Sequence, residues 1–283
     1  MLYYAKILIL SVVQGIAELL PVSSSAHVIV AEKLMGLDPA SPDMTLLLVM
    51  LHTGTMFAVI LYFWRSWAEA YFSSMAAFKE ILIYVVLATA ITGVVGLSIQ
   101  WLIKHFYAPD PATFEIEQLF GNLQLVATGL AAAGLVIIGS SATPDLMGKL
   151  TVGRAAIIGA VQGLCLPFRG FSRSGATIST GLMTGVSRKT SEEFSFALAV
   201  ILTPPVVVRE LLRLINHKTA QAATTETVHL SAVILPGLIG MVFSFAAGLF
   251  ALRWLSAWLG SNRWHFFGYY CLAMALFTYW LSL

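Results

Sequence analysis

Apolar residues run through this chain in long stretches, and polar residues interrupt them at only a few places. A hydrocarbon core about 30 Å thick needs roughly 20 apolar residues as helix. Six stretches approach that length: Met44 to Trp64, Ile81 to Ile103, Leu119 to Gly139, Phe194 to Leu212, Leu230 to Leu252 and Trp264 to Leu283. Pro204 and Pro205 fall inside the fourth and predict a kink there. Residues 3–36 and 152–186 follow another pattern. Each is apolar but cut in its middle by a polar turn, LLPVSSSAH in the first and LPFRGFSRSGAT in the second. A helix of about a dozen residues is predicted on either side of each cut, too short to cross. Helix, turn, helix at membrane depth predicts a re-entrant hairpin, whose irregular backbone must be buried in protein or line a wet cavity.

The two broken regions also match each other. At a constant offset of 148 residues, Val13-Gln14-Gly15 pairs with Val161-Gln162-Gly163, and Ser24 with Ser172. Three predicted spans separate the copies. Because that number is odd, the second copy must enter from the opposite face. The predicted fold is therefore all-α and integral to the membrane: six transmembrane helices plus two re-entrant helical hairpins in an inverted-topology repeat. It forms a single membrane domain over residues 1–283, with repeats over 1–140 and 150–283. In such repeats the two hairpins meet near the midplane and build a binding site from half-helix termini.

Composition agrees with a membrane location. Of 283 residues, 58% are apolar and 11% charged, and the mean hydropathy is +0.85, far from a soluble domain. Sixteen basic and 14 acidic residues leave a net charge of +2. With no basic run, nucleic acid is excluded as a partner. Partners are expected to be membrane lipid, molecules that arrive through lipid, and at most a second copy of the chain as a homodimer. Cys165 and Cys271 both lie in apolar stretches and are read as core thiols. The first apolar run is broken by Gln14 and Glu18 and lacks a small-residue cleavage site, so it is read as structure. If residues 65–80 face the cytoplasm, the inner loops hold eight Lys and Arg residues and the outer ones six. This excess favours an orientation with both termini and the mouth of the first hairpin outside. The loops at 104–118 and 216–229 then also face out, where they could shape an entrance.

An ionisable side chain at the centre of a membrane helix costs on the order of 2.5 to 3.5 kcal/mol. Glu18, His27, Arg169 and Arg173 together therefore need a reason. Pinning the hairpins together would take one ion pair and no hydroxyls. Gln14 and Glu18 are four apart and share a helix face. A second half-helix beginning near Ser23 would leave its first amides unpaired among the hydroxyls of Ser23, Ser24 and Ser25, an arrangement suited to phosphate. Ser24 and His27 are three apart, on one face. In the second hairpin, Gly170 to Thr177 repeats the design, and Arg173 adds a guanidinium able to grip phosphate oxygens. Two facing helix starts with one Arg, one His and one Glu describe a pocket for a highly charged anion. A divalent cation, Mg2+ or Ca2+, bridging Glu18 and phosphates would complete the ingredients of phosphoryl transfer.

Here the residues resemble a known family. Gln14-x-x-x-Glu18 followed by Leu20-Pro21-Val22-Ser23-Ser24-Ser25-x-His27 is similar to the first signature of the undecaprenyl-diphosphate phosphatases, the bacitracin-resistance membrane phosphatases. Gly170-x-Ser172-Arg173-Ser174-x-x-Thr177 is similar to the second. The likeness extends along nearly the whole chain. It implies removal of the terminal phosphate of a C55 polyprenyl diphosphate, releasing inorganic phosphate and recycling the lipid carrier of the cell wall. The implied place is the outer face of the bacterial cytoplasmic membrane, with a divalent cation as cofactor. The resemblance makes Glu18, His27 and Arg173 essential and Ser24 the favoured nucleophile. His27 is spaced to take the proton of Ser24 or to protonate a leaving oxygen. Attack by His27 itself, or by water with Ser24 only binding phosphate, fits the same spacing. Ser172 completes the candidate catalytic set. Gln14, Ser23, Ser25, Gly170, Ser174, Thr177, His52 and Arg169 are the candidate substrate-binding residues.

The chain departs from the family pattern at three positions. Arg169 replaces a proline, where it either faces the phosphate site or snorkels to the interface. Ala26 replaces a glycine, and His52 stands where glutamine is expected. A phosphatase for another lipid diphosphate, or a flippase carrying polyprenyl phosphate, would share much of this design. A carrier needs the anion grip but has no use for a nucleophile beside a proton acceptor.

Overall fold

The computed structural model describes residues 2–37, 42–106, 119, 122–221 and 230–283, which are helical with no sheet. Of the two loops expected to shape an entrance, residues 107–118 and 222–229 lie outside that description. The first broken region is α1 (Leu2–Leu19) and α2 (Ser24–Leu34), and the second is α6 (Val152–Cys165) and α7 (Arg173–Met183). The remaining helices are α3 (Pro42–Tyr71), α4 (Met75–Phe106), α5 (Leu123–Ser141), α8 (Arg188–Gln221), α9 (Leu230–Gly260) and α10 (His265–Trp280).

The polar turns break the helices where the sequence predicted, but α1 is longer than a dozen residues. It has 18, about 27 Å at roughly 1.5 Å per residue, because its apolar run extends back to the chain start. Lys6, the one charge in that run before Glu18, donates from Nζ to the carbonyl of Met35 at 2.6 Å. Among the described residues, four helices combine the length and apolarity needed to cross a membrane: α3, α4, α5 and α9. The chain is thus an all-α membrane protein. The fifth helix starts four residues later than the predicted span, where the Asn122 side chain accepts from the amides of Gln124 and Leu125. The last helix has only 16 residues, against the 20 from Trp264 to Leu283, because Leu281 to Leu283 leave the helix. Pro204 and Pro205 sit inside α8.

Lipid tails are as apolar as leucine, so helices in a bilayer gain little by burying leucine against each other and associate by close packing. The repeat-related glycines supply it. A side chain at Gly15 of α1 would meet the Ser244 carbonyl of α9 at 2.6 Å. One at Gly163 of α6 would meet Val95 at 2.7 Å and the Thr92 carbonyl at 2.9 Å on α4. So α1 packs on a helix of the second half, and α6 on a helix of the first.

Polar contacts locate the two ends of the bundle. At one end Arg188 holds Asp145 (3.8 Å), the Leu259 carbonyl (3.1 Å) and Asn262 (2.8 Å). Gly148 pairs with Val186 there, beside the open end of the α6–α7 hairpin. Trp264 donates to Ser140 at 2.9 Å. At the other end Lys33 of α2 lines one cavity with Asn122, Gln124 and Ser282. Helix α5 runs from Leu123, just after its Asn122 cap, to Ser141, 19 residues or about 28 Å. The open end of the α1–α2 hairpin therefore lies a helix length from that of α6–α7, and their turns meet between.

Candidate functional site

The meeting point is the Glu18 carboxylate. It ends α1, and one turn earlier Gln14 points the same way, as the four-residue spacing requires. Gln14 Nε2 donates to Glu18 Oε2 at 3.0 Å, and the hydroxyl of Ser24 donates to the same oxygen at 2.6 Å. Arg173, the first residue of α7, brings Nη2 to 3.5 Å from Oε1. His52, about a third of the way along α3, brings Nε2 to 3.5 Å from Oε2. The side chains stay partly open, at 18% for Glu18, 22% for Arg173 and 37% for His52. Three helices from both halves of the chain thus converge on one accessible carboxylate.

The two helix starts differ. At the first, Ser23 has φ 67° and ψ 94° and makes no side-chain cap, an uncommon conformation for a residue with a Cβ. Its hydroxyl lies 3.2 Å from that of Ser25. With Ser24 turned to Glu18, no serine hydroxyl caps the opening amides of α2. At the second start, Ser172 is the cap, accepting from the amide of Gly175 at 3.2 Å, and it is buried. Ser174 and Thr177 are buried too. Ser174 donates to the Leu20 carbonyl at 3.3 Å, and Thr177 bonds the Arg173 carbonyl at 2.8 Å and Ser195 Oγ at 2.6 Å. These three repeat-motif hydroxyls are buried and bonded to the protein, and so help hold the hairpin in place. Gly170 takes φ 92°, and any Cβ there would strike the Val126 carbonyl. Its amide donates to Ser25 Oγ at 3.5 Å, joining the hairpin turns. Arg169 is exposed.

His27 is engaged at both nitrogens. A carbonyl can only accept, so Nδ1 carries the proton that bonds Ser23 O at 2.8 Å, and the Tyr270 hydroxyl donates to the neutral ring's Nε2 at 2.7 Å. The rings also stack, 5.5 Å between centroids. The spacing that suggested His27 as the acceptor for Ser24 is therefore met differently, since Ser24 donates to Glu18. Sequence reasoning missed Tyr270, one of three tyrosines on an apolar helix with nothing in its spacing to mark it. It also missed Ser195, whose carbonyl accepts from Arg173 Nη1 at 3.4 Å. Both cysteines are free and buried.

Comparison with known proteins gives the family. The model of bacitracin resistance protein BacA matches residues 7–277. The chain belongs to the BacA family. It is 62% identical over 272 residues to a protein of Acinetobacter baylyi named undecaprenyl-diphosphatase 2, covering 95% of this chain and 94% of that one. It is 30% identical over 283 residues to an undecaprenyl-diphosphatase of Rhodopirellula baltica, 98% of each chain. An undecaprenyl-diphosphatase of Korarchaeum cryptofilum is 28% identical over 285 residues, covering 96% and 97%.

The divalent cation implied for a BacA-family site can be set against its donors. Among the described residues no three His, Cys, Asp or Glu side chains cluster as a closed metal cage. Glu18 offers one accessible carboxylate, facing an imidazole nitrogen. One carboxylate, completed by water and substrate phosphates, is a usual way to hold such an ion beside a diphosphate. The residues therefore fit an ion that arrives with, or is completed by, the substrate.

Proposed function

We propose that this protein hydrolyses undecaprenyl diphosphate to undecaprenyl phosphate and inorganic phosphate, with Glu18, Ser24, His27 and Arg173 at the reacting centre. It is a hydrolase of a lipid phosphoanhydride, and so serves cell-wall synthesis and bacitracin resistance. The observation that carries the assignment is the 2.6 Å bond from the Ser24 hydroxyl to Glu18, with Arg173 on the other carboxylate oxygen.

The geometry supports the following course. Arg173 and the uncapped amides at the start of α2 bind the terminal phosphate. Ser24 Oγ adds to its phosphorus as the Ser24 proton passes to Glu18, and the bond to the bridging oxygen breaks, leaving undecaprenyl phosphate. Water then adds to the phosphoserine while Glu18 returns a proton to Ser24, releasing inorganic phosphate. His27, its ring fixed by Ser23 and Tyr270, orients the phosphate-binding turn. Glu18 would hold a divalent cation, which when bound would supply charge neutralisation at the phosphate oxygens. Ser24 on a proton acceptor also argues against a carrier alone, which needs no such pair.

In this reading α1–α2 and α6–α7 are re-entrant hairpins of an inverted repeat in a six-span protein. The exchange of partners at Gly15 and Gly163 and the hairpins' opposite open ends support it. The site faces the outside of the bacterial cytoplasmic membrane. Purified protein in detergent, given undecaprenyl diphosphate and Mg2+, should release phosphate. Glu18→Gln and Arg173→Ala should each lower the rate by at least about 10²-fold. Full turnover in both variants would refute the site.

A further inference from the structure

We propose that His52 is a second protein ligand to the cation, making Glu18 and His52 a mixed oxygen and nitrogen site that prefers a first-row transition dication to Mg2+ or Ca2+. The inference rests on the phosphatase reading, which needs a cation beside Glu18, and it names the ion's chemical class.

Three observations carry it. His52 Nδ1 lies 2.7 Å from the carbonyl of Leu48, one turn back on α3. A carbonyl accepts only, so Nδ1 holds a proton, which leaves Nε2 as the ring nitrogen able to offer a lone pair to an ion. A backbone carbonyl fixing the far nitrogen is the support that metal-bound histidines commonly have. Second, Nε2 faces Glu18 Oε2 at 3.5 Å. A direct charge-assisted bond would draw the two to about 2.7–2.9 Å. Two donors each about 2.1 Å from a shared ion stand about 3.0–3.4 Å apart at bond angles between a right angle and tetrahedral. The observed gap is too long for a direct charge-assisted bond and close to the span of a shared ion. Third, both side chains are open to solvent, 37% for His52 and 18% for Glu18. An ion can therefore enter and water can complete its shell.

Imidazole nitrogen favours the later first-row dications, whereas an all-oxygen set suits Mg2+ and Ca2+.

Manganese is the probe, because its paramagnetism reports nitrogen ligands directly. Full-length protein in detergent is titrated with Mn2+ and examined by pulsed electron paramagnetic resonance for coupling to a bound nitrogen. Wild type should bind Mn2+ with nitrogen coupling, and 15N-histidine labelling should shift that coupling without any substitution. His52→Gln should abolish the coupling and weaken Mn2+ binding about tenfold or more, since even losing a ligand's supporting contact costs 10- to 100-fold. His27→Gln should retain the coupling. Absence of coupling in wild type, or its survival in His52→Gln, overturns the inference. Phosphate release with Mg2+, measured on the same wild-type protein, separates the two readings. Release without nitrogen coupling removes the ligand assignment and leaves the phosphatase. Coupling without release under any dication removes the phosphatase and leaves the ligand.

Discussion

Glu18 gathers Gln14, Ser24, Arg173 and His52, and most of that cluster could be read from spacing. Gln14 and Glu18 had to share a face, and two polar turns in apolar chain had to meet something other than lipid. Spacing could not rank the serines. Ser24 and Ser172 align in the repeat, yet one hydroxyl reaches the carboxylate and the other caps a helix. The difference lies in a backbone detail, the positive φ of Ser23, which turns the first helix start without using a cap. Tyr270 escaped for another reason: its partner is 243 positions away, beyond any local pattern. Its hydrogen bond to His27 is worth about 1 kcal/mol. Tyr270→Phe is expected to slow phosphate release about fivefold with little change in melting temperature, because the ring stack remains. Release unchanged in that variant would show that His27 needs no anchor at Nε2.

Among the helices, the turns were legible and the ends were not. Proline and glycine mark where a helix must break, whereas the length of α1 depends on how far a weakly polar start is tolerated beside Met35. The second hairpin's turn packs closely on α5. Gly170 combines φ 92° with a backbone approach to Val126 that leaves no room for a methyl group. Gly170→Ala should therefore cost about 1–3 kcal/mol, lowering the melting temperature in detergent by several degrees. It should also loosen the amide contact to Ser25 and reduce turnover. Gly139→Ala on the same α5 helix meets open space and should leave both unchanged. Equal melting temperatures for the two variants would contradict the close approach.

Across the whole molecule, the distribution of charge predicts an orientation. The end defined by Arg188, Asp145 and Asn262 also carries Lys149, Arg154 and Lys189. Positive charge gathers on the cytoplasmic side of membrane proteins, so this end should face inward. The end near Lys33, Asn122 and Gln124 should then face out, with the mouth of the first hairpin. The sequence alone gave a small excess of basic residues by loop. The added information is that separate loops share one end, which only tertiary contacts reveal. Cysteine labelling tests the assignment, because Cys165 and Cys271 are buried and should contribute little background. Ser73→Cys and Ser261→Cys, both at exposed positions, should react with a membrane-impermeant maleimide only after cells are permeabilised. Lys33→Cys and Gln124→Cys, exposed at the other end, should react in intact cells once the outer barrier is open to the reagent. The reverse pattern would turn the protein over and place the mouth of the first hairpin on the cytoplasmic side. Reaction of all four in intact cells would mean that α5 does not separate two faces of a membrane.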